Sequence, residues 1–189
     1  MKAEVPAEPV IFMKPPSAII HSGDNIVLPK ISTQVHHEGE LVVAIAGRCR
    51  DLSPAEAGKR ILGYGAGLDM TLRDVQSVAK KKGLPWTIAK GFDTSAPVSE
   101  FIRAGSLPAE PDFDLVCSVN GEVRQRVRTS AMIFSIPFLI SYLSSIFTLE
   151  KGDLIFTGTP EGVGLVRPGD VVEAGLEGHV RTRNPVVSG

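Results

Sequence analysis

The stretch HHEGELVVAIAG, residues 36–47, places two carboxylates at the start of an otherwise apolar strand. Side chains two positions apart in a strand point to the same face, so Glu38 and Glu40 are expected side by side. Like charges this close repel each other unless water solvates them or a cation lies between them. The spacing fits both a solvated strand end and a metal site, so the choice depends on a third ligand elsewhere in the chain.

Length and composition describe a folded and nearly neutral protein. The 189 residues include 43% hydrophobic and 22% charged side chains, and we expect a single domain over residues 1–189. With a net charge of −1, the protein has no strong overall electrostatic attraction for anions, so neither nucleic acid nor a membrane surface is expected as a partner. Two cysteines form no metal-type cluster or disulfide framework, and the N-terminus lacks the apolar run of a signal peptide. The expected location is therefore a reducing compartment, the cytoplasm.

One segment is apolar enough to raise the question of a membrane span. Residues 131–149 carry no charge, and 19 residues are just enough for a helix to cross a bilayer. Pro137 interrupts the segment, and polar side chains recur along it at helical spacing: Ser141, Ser144, Ser145 and Thr148. We therefore expect a helix that follows Ser135 and is covered by protein.

Turn signals and alternating runs predict a chain dominated by strands. Gly-Asp turns precede apolar runs in HSGDNIVLP, EKGDLIFTG and RPGDVVEAG, and RNPVVSG resembles a last strand. Asn120-Gly121 is typical of a type I′ hairpin turn, and the strand after it alternates three arginines that indicate a solvated face: Arg124, Arg126 and Arg128. Helices and strands do not alternate regularly, so the predicted fold class is α+β, predominantly β, with a few inserted helices.

Two helices have recognisable ends in the sequence. Ser53 to Glu56 form a capping box, which predicts a helix that continues to about Leu62. Thr71 is predicted to cap a second helix, which would stop at Gly83.

The segment GYGAGLDMTLRDVQ supplies a candidate third ligand. Asp69 lies among glycines on a turn, and Arg73 and Gln76 are three residues apart, so they can face the same spot on a helix. A structural interpretation fits the segment equally well: Asp69 would be a capping residue and Arg73 a surface charge.

Three further positions are candidates for contacts in a pocket. Lys90 follows an apolar run in WTIAKGFDTSAP and either extends outward or points into a pocket. The Gly/Thr-rich turn FTGTPEGVG, residues 156–164, has backbone N–H groups that could bind a carboxylate, although the turn lacks the Gly-Lys-Ser/Thr of a phosphate loop. Lys14 in FMKPP is a further candidate for a pocket lysine.

Taken in order, these clusters resemble the fumarylacetoacetate hydrolase family, most closely its acylpyruvase and oxaloacetate decarboxylase branch. The resembling segments span nearly the whole chain: FMKPPSA, HHEGEL, GYGAGLDMTLRDVQ, KKKGLPWTIAKGFDTSAPVS, MIFSIPFLISYLS and GDLIFTGTPEGVG. The resemblance implies layered, rolled β-sheets of the family's C-terminal domain type, a homodimer, and a bound Mg²⁺ or Mn²⁺.

The resemblance also implies roles for particular residues. The metal ligands would be Glu38, Glu40 and Asp69. Lys90 would be the catalytic lysine, and the substrate-binding residues would be Lys14, Arg73, Gln76 and Thr159.

The expected substrate is a small 2-oxo acid. The reaction predicted first is hydrolysis of a 3-acylpyruvate to pyruvate and a carboxylate, in which the metal stabilises a pyruvate enolate. Oxaloacetate decarboxylation and keto–enol or diene-dioate isomerisation are alternatives within the same family. An alternative of another class is a truncated metal-binding dimer without turnover.

One departure from the family pattern affects this choice. Closely similar members carry an Asn-Tyr-x-x-His-x-x-Glu stretch whose His and Glu activate water, and Met1 lies immediately beyond the place where that stretch would end. Either the start of the sequence is shortened, or the protein lacks this base. We expect the chain as given to be without the N-terminal lid segment, a condition that penalises hydrolysis more than decarboxylation.

Overall fold

A computed structural model describes residues 7–189, and strands account for most of its regular structure. The strands are β1 Ile19–His21, β2 Ile26–Leu28, β3 Val35–His37, β4 Gly39–Ile45, β5 Ile61–Leu68, β6 Thr71–Leu72, β7 Ala96–Val98, β8 Ile102–Arg103, β9 Asp114–Val119, β10 Glu122–Arg128, β11 Leu154–Phe156, β12 Gly164–Leu165, β13 Val171–Leu176 and β14 Val180–Ser188. The α-helices are α1 Pro54–Ala57, α2 Arg73–Lys82, α3 Thr87–Lys90 and α4 Ile136–Ile146. The predicted class, mostly β with a few inserted helices, is confirmed.

The strands form two larger sheets and one small sheet. The six-stranded sheet has the order β1-β7-β5-β4-β11, with β8 also paired to β5, and the five-stranded sheet has the order β10-β9-β13-β14-β2. The central strands of these two sheets, β4 and β5 on one side and β9, β13 and β14 on the other, pack against each other around the core. The small sheet β12-β3-β6 continues from the end of β4 at which the two glutamates lie.

The register between β4 and β5 brings Asp69 to the two glutamates. These strands pair antiparallel, with Gly39 opposite Leu68 and Glu40 opposite Gly67. The pairing extends one residue further, because the N–H of Asp69 donates to the carbonyl of Glu38 at 2.8 Å. Two segments that are far apart in sequence therefore place three carboxylates together, where the start of β4 meets the end of β5.

Several local predictions are confirmed. The hairpin joins β9 and β10 through Asn120 and Gly121, whose φ values of 53° and 80° are those of a type I′ turn. Each Gly-Asp turn is followed by a strand, namely β2, β11 and β13, and RNPVVSG lies at the end of β14. The three alternating arginines are exposed and form ion pairs at the surface: Arg124 with Glu122, Arg126 with Glu177, and Arg128 with Asp112 and Asp114.

Two helix predictions need correction. The Ser53–Glu56 capping box is present, but α1 ends at Ala57, a single 3₁₀ turn follows, and Leu62 is already in β5. Thr71 does not cap α2: it lies in β6, and no side chain caps the helix. The C-terminal end was predicted correctly, because Gly83 ends α2 with a φ of 65°.

The apolar segment 131–149 contains the predicted helix, α4. Ser135 caps it, and its buried residues are Leu139, Ile140 and Ser144. Its serines bind the segment just before α1, because Ser141 Oγ donates to the carbonyl of Leu52 and Ser144 Oγ accepts from the N–H of the same residue. Among residues 7–189, no helix is long and apolar enough to span a bilayer.

Candidate metal centre and active site

Three carboxylates converge below the protein surface. Glu38, Glu40 and Asp69 each offer an oxygen within 4.8 Å of the other two, and the three residues are buried. A buried carboxylate is costly unless a positive charge or several donors compensate it. The groups around this cluster therefore show how its charge is compensated.

Lys90 lies against the carboxylates from the C-terminal end of α3. Its Nζ is 2.8 Å from Glu38 Oε2 and 2.5 Å from Asp69 Oδ2, and it donates to Thr71 Oγ1 at 2.7 Å. The Phe12 ring lies below the ammonium group, with its centroid 4.7 Å from Nζ. Lys90 is only 2% exposed. Of the two interpretations of the sequence, the structure supports the lysine that points inward.

Lys14 contacts the oxygen of Asp69 that Lys90 does not contact. Its Nζ is 2.8 Å from Asp69 Oδ1, and it also donates to the carbonyls of Lys90 and Ser95. The contact with Asp69 is an ion pair without hydrogen-bond alignment, so Oδ1 has no aligned donor among residues 7–189. Lys14 thus lies directly against Asp69, and its contact with a substrate stays a prediction.

Arg73 and Gln76 come together at the N-terminal end of α2, as their spacing predicted. Arg73 donates to Gln76 Oε1 at 2.8 Å and to Glu38 Oε1. Gln76 is buried and Arg73 is half-buried, so the guanidinium group lies between the cluster and solvent. The structural interpretation of Arg73 as a free surface charge is wrong.

The turn at residues 157–162 is hydrogen-bonded along the segment that carries the glutamates. The N–H of Gly158 donates to Glu40 Oε2 at 2.7 Å, and Thr157 Oγ1 donates to the carbonyl of Leu41 at 3.0 Å. Thr159 Oγ1 donates to the carbonyl of Gly39 at 2.9 Å. Thr159 therefore lies in the turn that contacts Glu40, and its contact with a substrate carboxylate stays a prediction.

The pKa directions follow from burial and from the ammonium groups. Burial raises the pKa of Glu38, but Lys90 and Arg73 lower it more, so the net shift is downward. Burial and the nearby charge of Asp69 raise the pKa of Glu40 well above its usual value, against a lowering contribution from the N–H of Gly158. Burial also raises the pKa of Asp69, although Lys14 and Lys90 oppose it. Of the three carboxylates, Glu40 is the one whose negative charge is least compensated by neighbouring cations and donors.

The donor set fits a hard divalent cation. Three carboxylates provide the oxygen ligands that Mg²⁺ and Mn²⁺ prefer. Asp69 Oδ1 lacks an aligned donor among the described residues, and burial, followed by the charges of Asp69 and Glu38, raises the pKa of Glu40. A cation held here would share Glu38 and Asp69 with the ammonium group of Lys90.

Sequence reasoning missed several residues at the site. Three of them contact Lys90: Thr71 Oγ1 accepts from its ammonium group, the Phe12 ring contacts the same group, and Ser95 Oγ donates to the backbone carbonyl of Lys90. Gln125 binds the backbone between the two glutamates. Only Gln125 had a signal in the sequence: it lies between alternating exposed arginines in β10, so its side chain had to point inward.

Comparison with known proteins agrees with this arrangement. The family described as fumarylacetoacetate (FAA) hydrolase C-terminal matches residues 1–187. The chain belongs to this family. A crystal structure of fumarylpyruvate hydrolase from Pseudomonas aeruginosa, in complex with Mn²⁺ and pyruvate, is 36% identical, superimposes with a TM-score of 0.92, and aligns over 97% of this chain and 81% of that one. The predicted family fold is thereby confirmed.

Two relatives of the family resemble the chain more closely in sequence. The Homo sapiens protein named oxaloacetate tautomerase FAHD1, mitochondrial, is 50% identical over 180 residues, which are 95% of this chain and 81% of the relative. The Dictyostelium discoideum protein named oxaloacetate decarboxylase, mitochondrial, is 47% identical over 176 residues, which are 93% of this chain and 81% of the relative.

Proposed function

We propose that this protein is a divalent-metal-dependent enzyme that converts a small 2-oxo acid through its enolate. One observation carries the proposal: three buried carboxylates lie within 4.8 Å of one another, and the ammonium group of Lys90 contacts two of them. Glu38, Glu40 and Asp69 would hold Mg²⁺ or Mn²⁺. When bound, such an ion supplies a Lewis acid for the carboxylate and keto oxygens of the substrate.

The chain's own cations would orient the substrate and stabilise charge. Arg73 lies at the edge of the cluster, where its guanidinium group can donate to a carboxylate of the substrate. Gln76 holds the guanidinium group in place by accepting a hydrogen bond from it. Lys90 places its ammonium group where negative charge develops on the enolate oxygen, a contribution of about 3 kcal/mol for a single preorganised donor. Lys14 would orient Asp69 through their ion pair. The backbone of the Thr159 turn is the remaining donor for a substrate oxygen.

The substrate that we propose first is oxaloacetate. The relatives that are about half identical to this chain carry the names oxaloacetate tautomerase and oxaloacetate decarboxylase. Tautomerisation moves a proton between C3 and the C2 oxygen, whereas decarboxylation breaks the C3–C4 bond and releases CO₂. Both pass through an enolate, and neither requires an activated water.

Acylpyruvate hydrolysis, the first prediction from the sequence, is the second candidate. The solved fumarylpyruvate hydrolase, crystallised with Mn²⁺ and pyruvate, supports it. Hydrolysis releases the pyruvate enolate that decarboxylation also forms. In hydrolysis, however, a water must attack the acyl carbonyl, and a general base must take a proton from that water.

The test follows oxaloacetate and acetylpyruvate in parallel, with Mg²⁺ or Mn²⁺ and then with a chelator. We expect metal-dependent enol–keto conversion or decarboxylation of oxaloacetate. Metal-dependent cleavage of acetylpyruvate would support hydrolysis as well. Binding of the metal without conversion of either substrate would favour the alternative of a metal-binding protein without turnover, and equal rates after chelation would contradict metal dependence.

The homodimer and the cytoplasmic location remain predictions. Both relatives above are named as mitochondrial proteins, so the compartment is to be established by imaging the tagged protein in its own cells. Analytical ultracentrifugation tests the dimer, for which a mass twice the 20.2 kDa of the chain is expected.

A further inference from the structure

Gln125 is a buried amide whose hydrogen-bonding groups all have partners. It lies on β10, in the sheet opposite the glutamates, and is 2% exposed. Its Oε1 accepts from the N–H of Gly39 at 2.9 Å and lies 3.3 Å from His37 Nδ1. Its Nε2 donates to Thr159 Oγ1 at 2.8 Å and to the carbonyl of Pro160 at 2.9 Å. One side chain therefore binds two separate segments.

Both segments belong to the candidate site. Gly39 lies between Glu38 and Glu40, and its carbonyl accepts from Thr159 Oγ1 at 2.9 Å. The turn that contains Thr159 reaches Glu40 directly through the N–H of Gly158. Gln125, Gly39 and Thr159 thus form a closed ring of hydrogen bonds, which fixes the turn relative to the backbone that carries the two glutamates.

The packing at Gly39 leaves little room for this backbone to adopt another position. A Cβ on Gly39 would lie 2.7 Å from the Cβ of Cys117 and 3.3 Å from Gln125 Oε1. The strand is therefore pressed against β9 at this point, and Gln125 occupies the remaining space beside it. Loss of the amide would free a backbone whose position sets the direction of both carboxylates.

We infer that Gln125 is a positioning residue that sets the separation of Glu38 and Glu40 and fixes the Thr159 turn against them. The inference rests on the proposed metal site. Gln125 makes no hydrogen bond to the three carboxylates, and it acts through Gly39 and Thr159. Partners that orient metal ligands typically contribute a factor of about 10 to 100 in metal affinity.

The test measures Mn²⁺ binding by the full chain, without substrate, for Gln125→Met and a matched control. Methionine keeps approximately the volume of glutamine and removes its hydrogen bonds. Asn184→Leu is the control, because Asn184 is an equally buried amide that donates to the carbonyls of His21 and Asp24, away from the cluster. We expect the Kd for Mn²⁺ to rise at least tenfold in Gln125→Met and to stay within twofold of wild type in Asn184→Leu.

Gln125→Glu adds a graded variant that keeps the inference testable if the methionine variant does not fold. Its carboxyl keeps an oxygen for the N–H of Gly39 but loses at least one of the two donors to the turn. We expect a Kd for Mn²⁺ between those of wild type and Gln125→Met, together with a raised KM for the 2-oxo acid.

Three results would overturn the inference. In the first, a folded Gln125→Met binds Mn²⁺ within twofold of wild type, which would refute the role of Gln125 alone. In the second, Asn184→Leu weakens Mn²⁺ binding as much as Gln125→Met, which would point to a general effect of stability. In the third, the wild-type chain binds no Mn²⁺, and the proposed metal site then fails together with the inference.

Discussion

At the scale of single residues, Lys90 is the side chain on which the proposed chemistry depends most. Its ammonium group contacts Glu38, Asp69 and Thr71 within 2.8 Å and is almost completely buried. A lysine in this position can stabilise an oxyanion only while the carboxylates hold it in place. Its removal should therefore affect turnover far more than the binding of metal.

We expect Lys90→Met to lower kcat for the 2-oxo acid by about 100-fold to 1,000-fold, as for the loss of one preorganised donor. Mn²⁺ should still bind, since the three carboxylates remain. Steady-state kinetics and a Mn²⁺ titration measure the two effects. Lys80→Met is the matched control, because Lys80 lies over the Trp86 ring, away from the carboxylates, and its loss should leave kcat unchanged. A Lys90→Met variant with wild-type kcat would contradict the role of Lys90.

Gly39 gives a second prediction at this scale. We expect Gly39→Ala to lower the free energy of unfolding by about 1–3 kcal/mol, because the added Cβ would overlap the Cβ of Cys117 and force the strands apart. Combining it with Cys117→Gly should recover part of the loss, whereas combining it with Cys117→Ala, which keeps the Cβ, should not. Urea unfolding of wild type, the three single variants and the two double variants measures the coupling, and equal coupling for both pairs would contradict the overlap.

At the scale of elements, β6 and α2 show where a local sequence rule fails. Thr71 precedes a helical pattern and looks like a cap, yet it lies in β6, where its hydroxyl donates to the carbonyl of Asp69 and accepts from Lys90. The capping rule considers only neighbours in sequence. The buried ammonium group of Lys90 needs an acceptor, and it reaches Thr71 across 19 residues of sequence.

We expect Thr71→Val to leave α2 intact and to impair catalysis. The variant removes the acceptor for Lys90 at nearly constant volume, a loss of about 1–3 kcal/mol in hydrogen bonding to a charged group. Turnover should fall, while amide hydrogen exchange in residues 73–82 should match that of wild type. Thr71→Ser keeps the hydroxyl and should retain activity. Faster exchange across the helix in Thr71→Val would instead favour the capping role.

Elements defined by adjacent residues were predictable, and those defined by distant partners were not. The Ser53–Glu56 box and the Asn120-Gly121 turn each depend on residues within a few positions, and the structure confirms both. The helix expected to reach Leu62 ends early because β5 requires those residues for pairing with β4 and β8. A local sequence pattern does not show which strand a segment pairs with, so the early end of this helix could not be predicted.

At the scale of the whole molecule, the site is a product of sheet register and of packing between sheets. The Glu-x-Glu spacing predicted two neighbouring carboxylates, local patterns offered Asp69 and Lys90 as candidates, and the family resemblance assigned their roles. The inward contact of Gln125 needs the five-stranded sheet to face the six-stranded one, a relation that periodicity in the sequence does not contain. The same limit explains why the ion pair between Lys14 and Asp69 was not predicted.

The electrostatic balance of the site predicts how metal binding depends on pH. Burial and the charge of Asp69 raise the pKa of Glu40 in the metal-free fold, so this carboxyl keeps its proton to a higher pH than an exposed glutamate, and the stability that the proton contributes is lost as pH rises through the raised pKa. A cation replaces the proton, so its affinity should increase with pH, by up to about tenfold per unit while Glu40 is protonated. The rise in Tm caused by Mn²⁺ should therefore be larger at pH 8 than at pH 6. Glu40→Gln has no proton to release at this position and should lose this contribution to the pH dependence.

The central claim, that Glu38, Glu40 and Asp69 bind one divalent cation, is tested most directly by titrating Mn²⁺ into the protein and its Asp69→Asn variant. Free Mn²⁺ is measured by its electron paramagnetic resonance signal. Asp112→Asn serves as the control, because Asp112 binds Arg128 at the surface, away from the cluster. We expect one Mn²⁺ per chain in the wild type and the control, and binding at least 100-fold weaker in Asp69→Asn, because about 3 kcal/mol is lost with a charged ligand. A wild type without a bound ion, or an Asp69→Asn variant with unchanged affinity, would contradict the claim.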